Sequence, residues 1–214
     1  MKKIAAVMIF FAIFSCGKKD SASTEVISTV TAYEGTVLIN GNPVKATGTA
    51  VHFGDLITTA DKAFCDITFN EKNIIRLKDR SVLIFKISTV ESILDLQDGW
   101  LSATMKKIAS ANGEVIIKTP TVTASIRGTS FCTKVENKDS TYFCVCNGKI
   151  ELKDANGKTS DTVISAHHAG RTYTKEKDGS ISINKNPGVL YHTDAGLEAL
   201  SRKIGITVDW TKAD

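Results

Sequence analysis

Apolar and polar residues alternate along most of the chain between Val26 and Lys153. Successive side chains of a β-strand point to opposite faces, so this period of two predicts strands with one buried face. Clusters of Asn, Gly, Pro and Asp separate the alternating runs and are typical of turns. The predicted strands are Val26–Ala32, Thr36–Asn40, Cys65–Phe69, Ile74–Leu77, Val115–Lys118, Phe131–Val135, Thr141–Cys146 and Lys149–Lys153.

The alternation changes phase once inside a single run. Apolar positions are even up to Ile126 and odd from Phe131 onward. A slip of one residue has to be absorbed by a bulge or a corner, because everything beyond it would otherwise face the wrong way. The slip predicts a structural corner at Arg127, Gly128 and Thr129. The Arg127 guanidinium could clamp a carboxylate or phosphate, but we favour a role in bonding backbone carbonyls that the corner leaves unpaired.

Glycine recurs before the alternating runs and points to the fold class. Each such glycine suits a turn that needs positive φ, and their spacing is too irregular for a counted repeat. We predict an all-β fold, with many short strands in a rolled, solenoid-like or sandwich arrangement and one short C-terminal helix. The glycines are Gly35, Gly54, Gly99, Gly148 and Gly179.

The predicted helix follows Tyr191. Leu197, Leu200 and Ile204 form one apolar stripe, and Gly205 is placed to end the helix. Its N-cap is expected at one of two residues, Thr193 or Asp194. A final short strand is predicted over Ile206–Trp210.

The N-terminus has the pattern of an export signal. Lys2 and Lys3 precede an apolar run that is too short to span a bilayer and that ends near Cys16. Ile13-Phe14-Ser15-Cys16 resembles the bacterial lipobox, which implies cleavage before Cys16 and attachment of acyl chains such as palmitate to it. The alternatives are a simple cleaved signal or an uncleaved anchor with an incidental cysteine.

These features divide the chain into four parts. We expect a lipoprotein signal peptide at 1–15, a lipidated N-terminus and flexible spacer at 16–25, a β domain at 26–186 and a helix-strand extension at 187–214. The net charge of +4 falls to +2 when Lys2 and Lys3 are removed with the signal. So small and scattered a charge argues against nucleic acid as a partner.

Four cysteines remain beyond Cys16, and an exported chain favours disulfides. If Val135 pairs with Thr141, Cys132 lies opposite Cys144, and Cys146 lies two positions further along the same face. We therefore predict a disulfide from Cys132 to Cys144, or to Cys146 if the hairpin is shifted. The alternative is that all four thiols are free. Cys65 is expected to be a small buried apolar residue.

The sequence predicts no metal site, no cofactor and no enzyme. His167 and His168 with the cysteines match no standard zinc-finger spacing, and adjacent histidines on a strand would point to opposite faces. The common motifs for serine hydrolysis, phosphate binding and zinc proteolysis are missing from the sequence. An envelope hydrolase or metal-dependent enzyme that uses Cys and His residues is the alternative.

The run TPTVTASIRGTSF at 119–131 resembles the Thr-Pro…Arg-Gly-Thr-x-Phe signature of the FecR domain family. Other pieces follow in the family's order over roughly Val26 to Tyr173. They are Gly54–Thr59, Cys65–Phe69, Arg76-Leu77, Ser81–Leu83, Leu96–Leu101 and Val145–Ile150.

The resemblance implies a module that works in the cell envelope. The best-known members are transmembrane regulators that hold this domain in the periplasm and an anti-sigma segment in the cytoplasm. Only Met1–Lys3 precede the apolar run here, so we expect the envelope-side module alone. We expect it to be lipid-anchored to a membrane of a double-membrane bacterium, periplasmic or surface-exposed, and to bind an unknown envelope protein or ligand.

Overall fold

A computed structural model describes residues 27–70, 72–106 and 114–213. Within these ranges it has fourteen strands and one helix. The strands are β1 (Ser28–Glu34), β2 (Val37–Ile39), β3 (Asn42–Pro43), β4 (Asp55–Thr59), β5 (Phe64–Phe69), β6 (Asn73–Leu77), β7 (Val82–Ile87), β8 (Ser92–Met105), β9 (Val115–Lys118), β10 (Val122–Asn137), β11 (Ser140–Asp154), β12 (Ser160–Ser165), β13 (Ala169–Lys175) and β14 (Ile181–Asn184). The helix is α1 (Asp194–Arg202).

The fold is all-β with one short C-terminal helix, as the alternation predicts. Every predicted strand up to Lys153 overlaps an observed one, and the last two predicted strands are parts of the continuous strand β11. All strand pairs are antiparallel except β8 with β9. Among the described residues, no helix has the length and apolar character of a membrane span.

Three long strands, β8, β10 and β11, each belong to two half-sheets. In one half-sheet, the first half of β8 pairs with β7, the first half of β10 pairs with β9, and the second half of β11 pairs with β12. In the other half-sheet, the remaining halves of these three strands pair with one another. There β8 also pairs with β6, and β11 also pairs with β13. The sheet is open, and its two halves enclose one core, where the rings of Phe69 and Phe85 meet edge to face at 5.8 Å.

A glycine with positive φ marks the point where each long strand changes half-sheet. These are Gly99 (φ 83°), Gly128 (φ 102°) and Gly148 (φ 122°). At each one the core-facing positions change parity, so the slip predicted in β10 recurs in both neighbours. The three strands therefore turn the same corner together.

The structure has a register shift at the predicted corner, and Arg127 makes a different contact from the one that we favoured. The register shifts between Ile126 and Thr129, as expected. The Arg127 side chain is 72% exposed, and among the described residues it donates to Glu114 at 3.3 Å and not to backbone carbonyls. The buried Thr129 takes that role, because its hydroxyl donates to the carbonyl of Lys149 at 3.0 Å.

Helix α1 covers the outer face of the second half-sheet. Its N-cap is Thr193, one of the two expected residues, and the hydroxyl of Thr193 accepts from the amide of Gly196. Leu197 and Leu200 are buried beneath it. The Ser201 hydroxyl bonds that of Thr104 at 2.8 Å, which fixes the helix to β8.

The predicted final strand over Ile206–Trp210 is wrong. Residues 206–213 form no ladder. The carbonyls of Asp209 and Lys212 instead accept from the side-chain amide of Asn147, each at 2.9 Å. One buried side-chain amide thus hydrogen-bonds two carbonyls that would otherwise need a neighbouring strand as their partner.

Candidate functional site

Two cysteines and two histidines converge between the outer face of the second half-sheet and α1. One donor atom from each of the four lies within 4.8 Å of the other three. The Cys146 sulfur is 3.2 Å from His192 Nε2, and the Cys144 sulfur is 3.8 Å from His168 Nδ1. The two facing ring nitrogens are 3.1 Å apart. We call this set the Cys₂His₂ cluster: Cys144, Cys146, His168 and His192.

Three separate parts of the chain supply the cluster. Cys144 and Cys146 are two positions apart on β11, so both point to the face opposite the main core. His168 lies in the turn between β12 and β13, where a φ of 59° turns its ring toward the cysteines. His192 directly precedes the N-cap residue Thr193.

Each histidine is held from outside the cluster through its other ring nitrogen. His168 Nε2 donates to the Asp194 carboxylate at 2.6 Å, and His192 Nδ1 donates to the Leu190 carbonyl at 2.7 Å. His167 also contacts Asp194, at 2.9 Å. These outer bonds set the orientation of both rings and direct His168 Nδ1 and His192 Nε2 inward, toward the two sulfurs.

The thiols and imidazoles of the cluster shift the pKa values of one another. A hydrogen bond from Cys146 lowers the pKa of Cys144 far below its usual range, helped by both histidines and opposed by burial. Burial raises the pKa of the Cys146 thiol. Burial lowers the pKa of His192, but hydrogen bonds to Cys132 and Cys144 outweigh it and raise that pKa to about 10. The cluster therefore favours a thiolate beside a cationic ring.

Cys132 lies beside the cluster and directly opposite Cys144, in the register predicted from the sequence. The described cysteines are free thiols, and the Trp100 indole N–H donates to the Cys132 sulfur at 2.8 Å. The disulfide between Cys132 and Cys144 or Cys146 stays a prediction. Cys65 is buried in the main core, as expected.

His167 and His168 are not arranged as a strand would place them. Adjacent histidines diverge on a strand, but His167 and His168 lie in a turn, and both rings contact Asp194. His192 was missed altogether, since a single histidine before a helix carries no periodic signal. Its position next to the predicted N-cap was the one available hint.

A cleft of about 490 Å³ opens next to the cluster, between β6, β8 and the start of α1. His192 forms part of its wall. The other side chains that matter for binding are Arg76, Lys78, Trp100 and Tyr191. The Lys78 ammonium lies 3.4 Å from the centre of the Trp100 ring, and burial lowers its pKa. The cleft thus combines aromatic surface with positive charge.

Comparison with known proteins identifies the β domain. Residues 55–151 match the family model described as FecR protein. This part of the chain is a FecR-like domain. The matched region contains all three glycine corners and both cysteines of the Cys₂His₂ cluster, whereas His168 and His192 lie beyond it. The cluster therefore joins the FecR domain to the segment that follows it.

Two crystal structures of a candidate anti-sigma factor from Parabacteroides distasonis ATCC 8503, at 1.65 and 2.50 Å resolution, are similar to this chain. Each aligns with 14% identity and a TM-score of 0.49. The alignment covers 61% of this chain and 59% of that one. No curated protein matches the sequence.

Proposed function

We propose that this protein is a lipid-anchored, non-catalytic module of the cell envelope that binds another envelope protein or ligand through its FecR domain. The observation that carries the proposal is the FecR match at residues 55–151. The anchor is proposed from the lipobox-like sequence that ends at Cys16, which lies outside the described residues.

The cleft beside α1 is the binding surface that we propose. The guanidinium of Arg76 is already engaged at 2.6 Å by the buried Asp66, a carboxylate that also pairs with Lys203. The Lys78 side chain rests on the Trp100 ring and lines the cleft, where it can meet an incoming group. A carboxylate on the partner would gain an ion pair with Lys78 in a partly dehydrated site, where such a pair is stronger than in water. We therefore expect the partner to present a carboxylate, either from an acidic side chain or from its C-terminus.

One geometric feature favours the rival function, a cysteine hydrolase. Cys144, His168 and Asp194 follow one another in the order of a nucleophile, a base and an orienting acid. Cys144 is fully buried, however, and its sulfur lies 3.8 Å from the histidine. A substrate carbonyl cannot reach that sulfur without displacing α1, so the arrangement supports a closed site better than a catalytic one.

Alkylation of the native protein separates the two functions. A catalytic Cys144 would react with iodoacetamide much faster than Cys65, which is buried in the main core. The proposed module should leave both cysteines unmodified until the chain is unfolded. Mass spectrometry of the labelled peptides reads out both residues in one sample. Rapid labelling of Cys144 alone would favour the enzyme.

The binding role is tested by co-purification of the tagged full chain from detergent-solubilised membranes. We expect one partner, identified by mass spectrometry, with the wild type and with Lys45→Met, a control at an exposed lysine that does not line the cleft. The Lys78→Met variant should retain much less of this partner. Equal recovery with Lys78→Met would place binding elsewhere, and the lack of any specific partner would contradict the proposed function.

A further inference from the structure

We propose that the Cys₂His₂ cluster is a structural Zn²⁺ site that joins the FecR domain to the C-terminal segment. This inference goes beyond the binding role above and does not depend on any partner. It follows from the spacing of the four donors, from their outer hydrogen bonds, from their chemistry and from their burial.

The spacing of the donors fits a tetrahedral ion. With Zn–S near 2.3 Å and Zn–N near 2.0–2.1 Å, tetrahedral ligand atoms lie roughly 3.3–3.8 Å from one another. The separations in the cluster are 3.1 Å between nitrogens, 3.2 Å from Cys146 to His192 and 3.8 Å from Cys144 to His168. These three separations lie within a few tenths of an ångström of the tetrahedral range, and all six are within 4.8 Å.

The outer hydrogen bonds prepare both histidines to act as ligands. Because His168 Nε2–H and His192 Nδ1–H are donated outward, the other nitrogen of each ring turns inward and offers a lone pair once it has lost its proton. Two lone pairs 3.1 Å apart repel each other unless a cation lies between them. A carboxylate on one ring and a backbone carbonyl on the other are the partners that usually support metal-bound histidines.

The choice of ion follows from the ligand types. Two thiolates and two imidazoles in a tetrahedral arrangement favour Zn²⁺, whereas Mg²⁺ and Ca²⁺ prefer oxygen ligands. Both sulfurs are fully buried beneath α1, and four protein ligands leave no position for a substrate. Such closed sites are structural rather than catalytic.

The site would crosslink parts of the chain that strand pairing leaves separate. His192 lies 46 residues beyond Cys146 and belongs to no strand. In the structure α1 contacts mainly β8 and β6, and only a small second core lies beneath it. Bound Zn²⁺ would therefore fix the start of α1 against β11 at the boundary of the FecR domain.

Zinc and the predicted disulfide compete for the same sulfur. Cys132 lies opposite Cys144, and a bond between these two residues would remove a ligand. The native thiol state therefore bears directly on the proposal.

The test uses the full-length chain, extracted in mild detergent without chelators. Metal content per chain is measured by mass spectrometry, and the chelator-stripped, reduced protein is titrated with Co²⁺. We expect one zinc per chain, together with the visible bands of tetrahedral Co²⁺ and a thiolate-to-cobalt charge-transfer band. His192→Ala and His168→Asn remove one ligand each, and Asn tolerates the positive φ at 168. The matched controls are His52→Ala and Cys65→Ala.

Both ligand variants should lose more Zn²⁺ affinity than the roughly 10–100-fold that loss of an outer partner costs. Both controls should bind as the wild type does, and circular dichroism checks that each variant keeps its β content. Wild-type protein without zinc and without Co²⁺ bands would overturn the proposal. So would unchanged affinity in both ligand variants, or a native disulfide between Cys132 and Cys144.

Discussion

His192 Nε2 lies 3.1 Å from His168 Nδ1, although the two residues come from different segments and each ring already donates to an acceptor outside the cluster. Such an approach requires a cation between the rings, either a proton or a metal ion. In the absence of a metal, a hydrogen bond to Cys144 raises the pKa of His168, and Asp194 raises it further against the effect of burial. The same contacts that retain a proton would hold an ion in its place.

The Asp194 carboxylate should matter for metal affinity even though it is not one of the four donors. Asp194→Asn keeps the shape of the side chain but weakens the acceptor for His168 Nε2–H. We expect Zn²⁺ affinity to fall about 10–100-fold, measured by competition with a chromophoric chelator. Asp178→Asn, which alters a distant surface turn, is the control and should leave affinity unchanged. Equal Zn²⁺ affinity in the wild type and both variants would mean that Asp194 contributes to helix α1 but not to zinc binding.

Removal of zinc should loosen the C-terminal segment more than the β domain. When free Zn²⁺ exceeds its dissociation constant 100-fold, binding stabilises the native state by about 2.7 kcal/mol. Chelation should therefore speed amide hydrogen exchange in α1 (Asp194–Arg202), with little change in β5 (Phe64–Phe69). Restored zinc should restore protection. Uniformly faster exchange would instead indicate that the ion supports the whole fold.

At the corner of β10, the threonine should matter more for stability than the arginine. Thr129→Val leaves the Lys149 carbonyl without its buried donor, which costs about 1–3 kcal/mol. Arg127→Lys alters only an exposed pair with Glu114, so the expected change is about 0–1 kcal/mol. Urea unfolding measures both, with Thr162→Val on an exposed position as the control. A larger loss in Arg127→Lys would restore the structural role that the sequence suggested for the arginine.

The corner glycine of β8 should tolerate no side chain. A Cβ on Gly99 would lie 2.4 Å from the Cα of Ser81, and its φ is 83°. Gly41 has a similar φ of 78° but nothing within 4 Å, so Gly41→Ala measures backbone strain alone, about 1–3 kcal/mol. Gly99→Ala should cost about 1–3 kcal/mol more, because backbone has to move. Equal losses in thermal unfolding would show that the close approach relaxes freely.

The proposed anchor has its own test in cell fractionation. Cys16→Ala removes the proposed site of acylation, so the protein should leave the membrane fraction and lose labelling by a fatty-acid analogue. Cys65→Ala is the control and should remain membrane-bound. Labelling that persists in Cys16→Ala would contradict the lipoprotein hypothesis.

The sequence by itself determined the β fold, because a strand repeats every two residues and leaves its mark in local alternation. It located the corner at Arg127–Thr129 through a change of phase, and it placed Cys132 opposite Cys144 through register alone. It also predicted the helix and limited its N-cap to two residues. Each of these features depends on residues that are close in sequence or joined by a short turn.

Only the tertiary structure decided which side chains meet. The direction of His168 depends on a positive φ within a turn, and His192 reaches the cysteines from a segment without periodic structure. No local pattern encodes either direction. The outward turn of Arg127 was equally hidden, because alternation tells which face is buried but not which side chain the corner can accommodate. Packing of α1 against the sheet brings these distant residues together, and that packing is a property of the whole fold.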